Sequence, residues 1–121
     1  MAVSNEYRTF IQDQLENFGP VTVRSMFGGA GVFHDGIMFG LIADETLYFK
    51  IDDTTKGDFE AEGSEPFVYT KGGKSTAMSY WRVPERLYED ADSMTDWARN
   101  SFAVAYKADQ SKKKKSRKSG S

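Results

Sequence analysis

The stretch from Val21 to Ile51 constrains the fold most, because short apolar runs in it are separated by pairs of turn-forming residues. Residues 21–25 alternate between apolar and polar side chains, which is typical of a strand. Apolar runs at 31–33, 37–43 and 47–51 follow, divided by Asp35-Gly36 and Asp44-Glu45. Such pairs favour the tight turns of β-hairpins. The stretch therefore predicts an antiparallel meander.

Three glycines, Gly28, Gly29 and Gly31, are clustered at the start of the apolar run that ends at residue 33. A phosphate-binding loop would need a set glycine spacing and a helix start downstream. Neither is present, since the glycines lead into an apolar strand. Glycines in a strand mark a bulge, a bend or a close approach by another backbone or ring. We therefore interpret this cluster, together with Gly36 in the first turn, as structural, and we predict no bound cofactor.

Helical patterns lie on either side of the meander. Ser4 is a candidate N-cap for a first helix, whose apolar residues recur at helical spacing until Gly19-Pro20 stops it. A short second helix is expected after the meander, with Asp52 or Asp53 as its cap and Phe59 as its buried residue. Its end is expected near Gly63.

The remaining residues predict two strands and a last helix. Residues 66–70 and 75–83 flank the sequence KGGK, whose glycines suit a hairpin turn. The last helix is expected from about Ser93 to Lys107, with Ser93 and Asp96 as a capping box. The element order, helix, strands, helix, two strands, helix, indicates an α+β fold. We expect a two-layer sandwich in which helices cover one face of an antiparallel sheet.

The net charge of −2 is unevenly distributed along the chain. Residues 1–110 carry ten basic and 18 acidic side chains, a net charge of −8, whereas residues 112–118 carry six basic side chains and no acid. We therefore expect a domain at 1–108 and a disordered basic tail at 109–121. The tail is either a solvated end or a contact for DNA, RNA or another anionic surface. Its candidate contacts are Lys112, Lys113, Lys114, Lys115, Arg117 and Lys118.

Catalysis and metal binding find little support in the sequence. Cysteine is absent and His34 is the single histidine, which is a poor donor set for zinc. The acidic pairs at 52–53 and 90–92 fall at expected helix starts, where capping explains them. The N-terminus lacks the pattern of a signal peptide, and no apolar stretch is long enough to span a bilayer. We predict a cytoplasmic protein that is not an enzyme and binds neither metal nor membrane.

Cations next to aromatic side chains suggest a recognition surface. Arg24 precedes Met26 and Phe27, and Arg82 follows Tyr80 and Trp81. Arginine is favoured where planar pairing or stacking on a ring is needed. We expect Tyr80 and Trp81 to face opposite sides of their strand. The candidate partner-binding patch is Arg24, Met26, Phe27, Tyr80, Trp81 and Arg82, and the alternative is a set of ordinary surface ion pairs.

Two motifs, RSMFGGAGVF with DGIMFG, and AMSYWRVP, resemble the N-terminal domain of the TfoX/Sxy family of bacterial competence regulators. The similarity extends over roughly residues 7–105. It implies a fold like that of secretion chaperones, with helices on an antiparallel sheet. It also implies a regulatory role with a protein partner, since the family's full-length regulators act with the cAMP receptor protein on DNA-uptake genes. A homodimer is compatible with this interpretation.

Overall fold

The computed structural model describes residues 3–26 and 28–120, and the side chains only as far as residue 112. Helices and strands occur in an order that matches the prediction. They are α1 (Asn5–Gln14), β1 (Thr22–Met26), β2 (Gly29–His34), β3 (Ile37–Ala43), β4 (Thr46–Lys50), α2 (Lys56–Ala61), β5 (Pro66–Lys71), β6 (Lys74–Arg82), a 3-10 turn (Glu85–Glu89) and α3 (Ala91–Gly120).

Within the described residues, six strands form a single antiparallel sheet in the order β1-β2-β3-β4-β6-β5. The predicted α+β class and the meander are confirmed. Both meander turns have positive φ at their two central residues, 50° and 76° at Asp35-Gly36 and 51° and 53° at Asp44-Glu45. This geometry matches the right-handed twist of the strands and fixes their pairing register.

An irregularity in β3 sends a phenylalanine into the core. Val32 pairs with Gly40 and Phe33 pairs with Met38, so Phe39 is an extra residue in its strand. Phe39 is fully buried. Its ring centroid lies 5.0 Å from that of Phe18, 5.9 Å from that of Phe102 and 6.0 Å from that of Phe49. One side chain thereby joins the end of the first helical segment, two strands and α3.

The core lies between the sheet and the helices, on one face of the sheet. Alternate side chains of the meander strands point into it, except at the bulge in β3, where Phe39 and then Ile42 are buried. The fully buried large side chains of this core are Phe39, Phe49, Ile11, Leu15, Ile42, Leu47, Leu87, Met94, Val32 and Val83.

The first edge of the sheet is covered by a side chain of α1. Arg8 Nη1 donates to the carbonyl oxygen of Val23 at 3.0 Å, and Arg8 Nη2 donates to Ser25 Oγ. Because an open strand edge invites pairing with another chain, these bonds protect β1.

The helix termini differ in part from the prediction. Ser4 caps α1 as expected, since Ser4 Oγ accepts from the backbone N–H of Tyr7. The predicted capping box at Ser93 is wrong: the cap of α3 is the carboxylate of Asp90, which accepts from Ser93 N at 3.1 Å and Ser93 Oγ at 2.8 Å. These bonds hold the pKa of Asp90 below its usual value.

Two further features were not anticipated. A 3-10 turn at Glu85–Glu89 precedes α3 and buries Leu87. The backbone of α3 continues to Gly120, beyond the expected end near Lys107, since no glycine or proline intervenes and lysine is a good helix former. The division into a domain at 1–108 and a disordered tail at 109–121 stays a prediction, and most of the tail's side chains lie outside the described residues.

Substitution of Gly29 by alanine should strongly destabilise the sheet. A Cβ there would overlap the carbonyl oxygen of Ile42, a backbone atom that cannot move without separating the strands. We expect a loss of about 1–3 kcal/mol in the free energy of unfolding, as overpacking typically costs. Gly57→Ala is the matched control, since a Cβ in α2 meets nothing within 4 Å and should add about 0.5–1 kcal/mol of stability. Urea unfolding of both variants checks this, and equal effects would contradict it.

Candidate functional site

The face of the sheet opposite the core, here called the open face, carries the alternate side chains of each strand. In β4, Leu47 and Phe49 are buried in the core, so Tyr48 and Lys50 point to the open face. Leu41, which pairs with Tyr48, is 9% exposed although it is not part of the core cluster. An apolar side chain therefore is shielded on the open face as well.

Leu41 lies in the wall of a groove with a volume of about 560 Å³, where the other lining side chains shield it from solvent. It lies between the meander and the β5–β6 hairpin, and its walls are mostly apolar. Methionine contributes three of the lining side chains, and its unbranched thioether adapts to different surfaces. The groove is lined by Met26, Gly28, Gly29, Met38, Leu41, Ile42, Ala43, Asp44, Phe67, Tyr69, Met78 and Tyr80.

Gly31 allows side chains to close over the strand beside this groove. A Cβ at Gly31 would lie 2.8 Å from Phe33 Cε1 and 3.1 Å from both Met26 Cε and Met38 Sδ. No side chain fits at this position without moving these three. Gly28, at a φ of 78°, makes the tight connection into β2. The glycine cluster thus shapes both the sheet and one wall of the groove.

Tyr80 brings a polar group to the groove. Burial raises the pKa of its phenol to about 12, because the charged phenolate is poorly solvated there. Its hydroxyl makes no hydrogen bond to any residue that the structure describes. Lys50 Nζ lies 5.1 Å from the centroid of the Tyr80 ring and donates to Ser79 Oγ at 2.6 Å. Burial lowers the pKa of Lys50.

The candidate patch predicted from the sequence is divided by the sheet. Arg24 and Arg82 lie on the open face. Arg24 pairs with Gly31, and its Cζ lies 5.5 Å from the centroid of the Phe33 ring. Arg82 pairs with Tyr48, and its Nη1 lies 3.8 Å from Glu65 Oε1. Met26 and Tyr80 line the groove between them.

The other two members of the patch are placed differently. Trp81 faces the helices, where it packs against the core, and Lys56 Nζ lies 5.9 Å from its ring. Tyr80 and Trp81 thus point to opposite faces, as alternation along a strand requires. Phe27 lies outside the described residues.

His34 and the carboxylates have structural contacts. His34 Nδ1 lies 2.7 Å from the carbonyl oxygen of Pro20, and its ring packs edge-on against Phe18 and Phe102. Asp52 accepts from the backbone N–H groups of Thr54 and Thr55 in the turn before α2. Among the described residues, no three histidine or acidic side chains are grouped as metal ligands.

No helix in the described part of the chain combines the length and the apolar character that a transmembrane span requires.

The groove itself was missed at the level of sequence. The sequence patterns placed Met38, Leu41, Phe67, Tyr69 and Met78 in predicted strands but indicated no shared site for them. The signal that could have found them is the pair of nearly continuous apolar runs at 37–43 and 66–69, which leave apolar side chains on both faces of the sheet.

The pKa of Tyr80 predicts a loss of stability at high pH. Its folded-state pKa is raised, so this contribution to stability is complete below about pH 10, the ordinary value for tyrosine, and is lost as pH rises to about 12. Tyr80→Phe should therefore reduce the fall in unfolding free energy between these two values. Thermal melts across this range check the expectation, and an unchanged pH profile in Tyr80→Phe would contradict it.

The chain is similar to one protein family and to two curated proteins. The model of the TfoX N-terminal domain family matches residues 13–105. The chain is 35% identical over 75 residues to the DNA transformation protein TfoX1 of Aliivibrio fischeri, which covers 62% of this chain and 35% of that protein. It is 25% identical over 96 residues to the protein Sxy of Escherichia coli, covering 79% of this chain and 46% of Sxy.

The chain thus spans less than half the length of the curated relatives that it matches. The match to the family model nevertheless includes all six strands, both walls of the groove and the first part of α3. This chain belongs to the TfoX N-terminal domain family.

Proposed function

We propose that this chain is a non-enzymatic regulatory module that recognises its partner through the open face of the sheet. The groove carries this proposal. Concave sites of about 300–1,000 Å³ that are lined mostly by apolar side chains, with a few polar groups, are the usual binding sites of proteins. Here Arg24 and Arg82 lie on the same face of the sheet as the groove, and no helix in the described residues covers its apolar wall.

The chemistry of the groove favours binding over catalysis. Asp44 is the one carboxylate among its lining residues, and Tyr80 has a pKa of about 12, far from the value useful to an acid or base near neutral pH. Three methionines provide an adaptable apolar surface. A regulatory role is also what the family relationship supports, since one relative is named a DNA transformation protein.

The residues of the predicted patch have separate roles in this function. Met26 and Tyr80 contact the partner in the groove, and Arg24 and Arg82 contact it at the border. Trp81 supports Tyr80 from the core side of the same strand. The cellular setting that fits such a module is the cytoplasm, and its expected partner is a transcription regulator, as the family resemblance implies.

A chimeric protein tests this function. The aligned segment of Aliivibrio fischeri TfoX1 is replaced by this chain, and DNA transformation is measured in cells without their own TfoX1. The chimera should restore transformation, and Met38→Asp in it should lower the frequency at least tenfold, because a charge in the apolar groove opposes docking. Val68→Asp is the control, since Val68 is 50% exposed and does not line the groove. Equal transformation frequencies in the two variants would show that the groove does not take part in partner recognition.

A second candidate function rests on the basic tail. Six of the 16 Lys and Arg side chains fall within residues 112–118, so this segment can neutralise phosphates without reading sequence. In this case the tail anchors the protein on nucleic acid while the open face serves the partner.

Salt dependence of duplex binding tests the tail. Full-length protein should bind a labelled DNA duplex with a log–log salt slope of up to about −5, as six released counterions allow. The comparison is a tail-neutral variant, in which the six cations at 112–115, 117 and 118 are replaced by glutamine. Its duplex affinity should fall steeply. If both proteins bind alike, the tail is not the anchor.

A further inference from the structure

The six described strands of this acidic protein contain no acidic residue. All 18 Asp and Glu side chains lie in helices, turns and loops, whereas five of the ten basic side chains in residues 1–110 lie in the six described strands. The basic residues of the strands are Arg24, Lys50, Lys71, Lys74 and Arg82. The sheet is therefore a positively charged layer within a domain of net negative charge.

The strand register places these five cations on the open face. Lys50 alternates with the buried Phe49, and Arg82 alternates with the buried Val83. Arg24 follows the buried Val23. In β5, Phe67 and Tyr69 line the groove. Lys71 is two residues after Tyr69, so alternation along the strand places it on the same face. Lys74 pairs directly with Lys71 across the hairpin.

This cross-strand pair of lysines has a cost that an anion would remove. Like charges directly opposite each other on one face destabilise a hairpin. Among the described residues, neither Lys71 nor Lys74 forms an ion pair with a carboxylate, and no acidic residue occurs between Glu65 and Glu85. The two lysines thus lie opposite each other at the hairpin end of β5 and β6, on the same face as the groove.

Aromatic rings alternate with these cations on the open face. Tyr48 and Phe67 touch with ring centroids 5.3 Å apart, and Tyr69 and Tyr80 line the groove beside them. All four rings are partly exposed. A basic surface with interleaved, accessible rings is the usual arrangement for single-stranded nucleic acid, whose bases stack on the rings while its phosphates meet the cations.

We propose that the open face binds single-stranded nucleic acid. Lys50, Lys71 and Lys74 contact phosphates, and Tyr69 and Tyr80 stack against bases whose edges reach the free Tyr80 hydroxyl. A duplex fits less well, because its bases are already stacked and cannot lie on the rings. This inference goes beyond the proposed function, because it assigns a nucleic acid to a face that the proposed function assigns to a protein partner.

Fluorescence anisotropy with a labelled 12-nucleotide oligothymidine tests the proposal in the full-length tail-neutral variant, so that the tail does not contribute. Binding should weaken with salt at a log–log slope of about −2.1, because the three lysines that contact phosphates each release a counterion. Lys71→Gln with Lys74→Gln should make the slope shallower by about 1.4. Arg99→Gln with Lys107→Gln, which removes two exposed cations from α3, should leave the slope unchanged.

The rings are tested at constant charge. Tyr69→Leu should weaken binding about fivefold or more without a change in slope, as the loss of one stacked base implies. Tyr106→Leu on α3, where the ring is 48% exposed, is the matched control and should bind as before. Circular dichroism establishes that each variant is folded.

Several results would overturn the inference: no binding at low salt, equal affinity for a 12-base-pair duplex, equal affinity for polyglutamate, or an unchanged affinity in Tyr69→Leu. Equal binding of polyglutamate would identify the face as a docking site for acidic protein segments. The chimera has an independent readout. If it depends on Met38 while oligothymidine does not bind, this inference fails and the proposed function stands.

Discussion

The packing of Phe39 against Phe18, Phe49 and Phe102 is the contact on which the rest of the structure depends. It joins the end of the first helical segment, the centre of the sheet and α3. Phe39 reaches this position because β3 holds one extra residue opposite β2. The bulge concentrates apolar contacts on one side of the sheet, and all three α-helices gather there. No helix in the described part of the chain covers the other side.

The uncovered side does not have the polar surface that a two-layer fold would present to water. Methionines and aromatic rings line a groove there, and Gly31 lets Met26, Met38 and Phe33 close around one wall. Cations lie around these apolar side chains, while the acidic residues are confined to helices and connections. The distribution of charge and of apolar side chains thus supports the proposal that this face serves recognition.

Local pattern predicted most of the secondary structure. Features that depend on neighbouring residues were predicted correctly. They are the turns at Asp35-Gly36 and Asp44-Glu45 and the N-cap at Ser4. The cap of α3 was misplaced because Ser93 and Asp90 both fit the rules for a helix start, and the backbone path alone selects Asp90. The groove was not predicted because its walls come from the meander and from the β5–β6 hairpin, which are separated in sequence by α2.

The sequence by itself determined the α+β class, the order of the elements and the absence of acids from the strands, because turn chemistry, periodicity and composition are local. Only the tertiary structure decided which face the helices cover, and hence that Arg24, Lys50, Lys71, Lys74 and Arg82 share the uncovered one. The physical reason is that the facing of a strand depends on register and bulges, and one extra residue such as Phe39 reverses it.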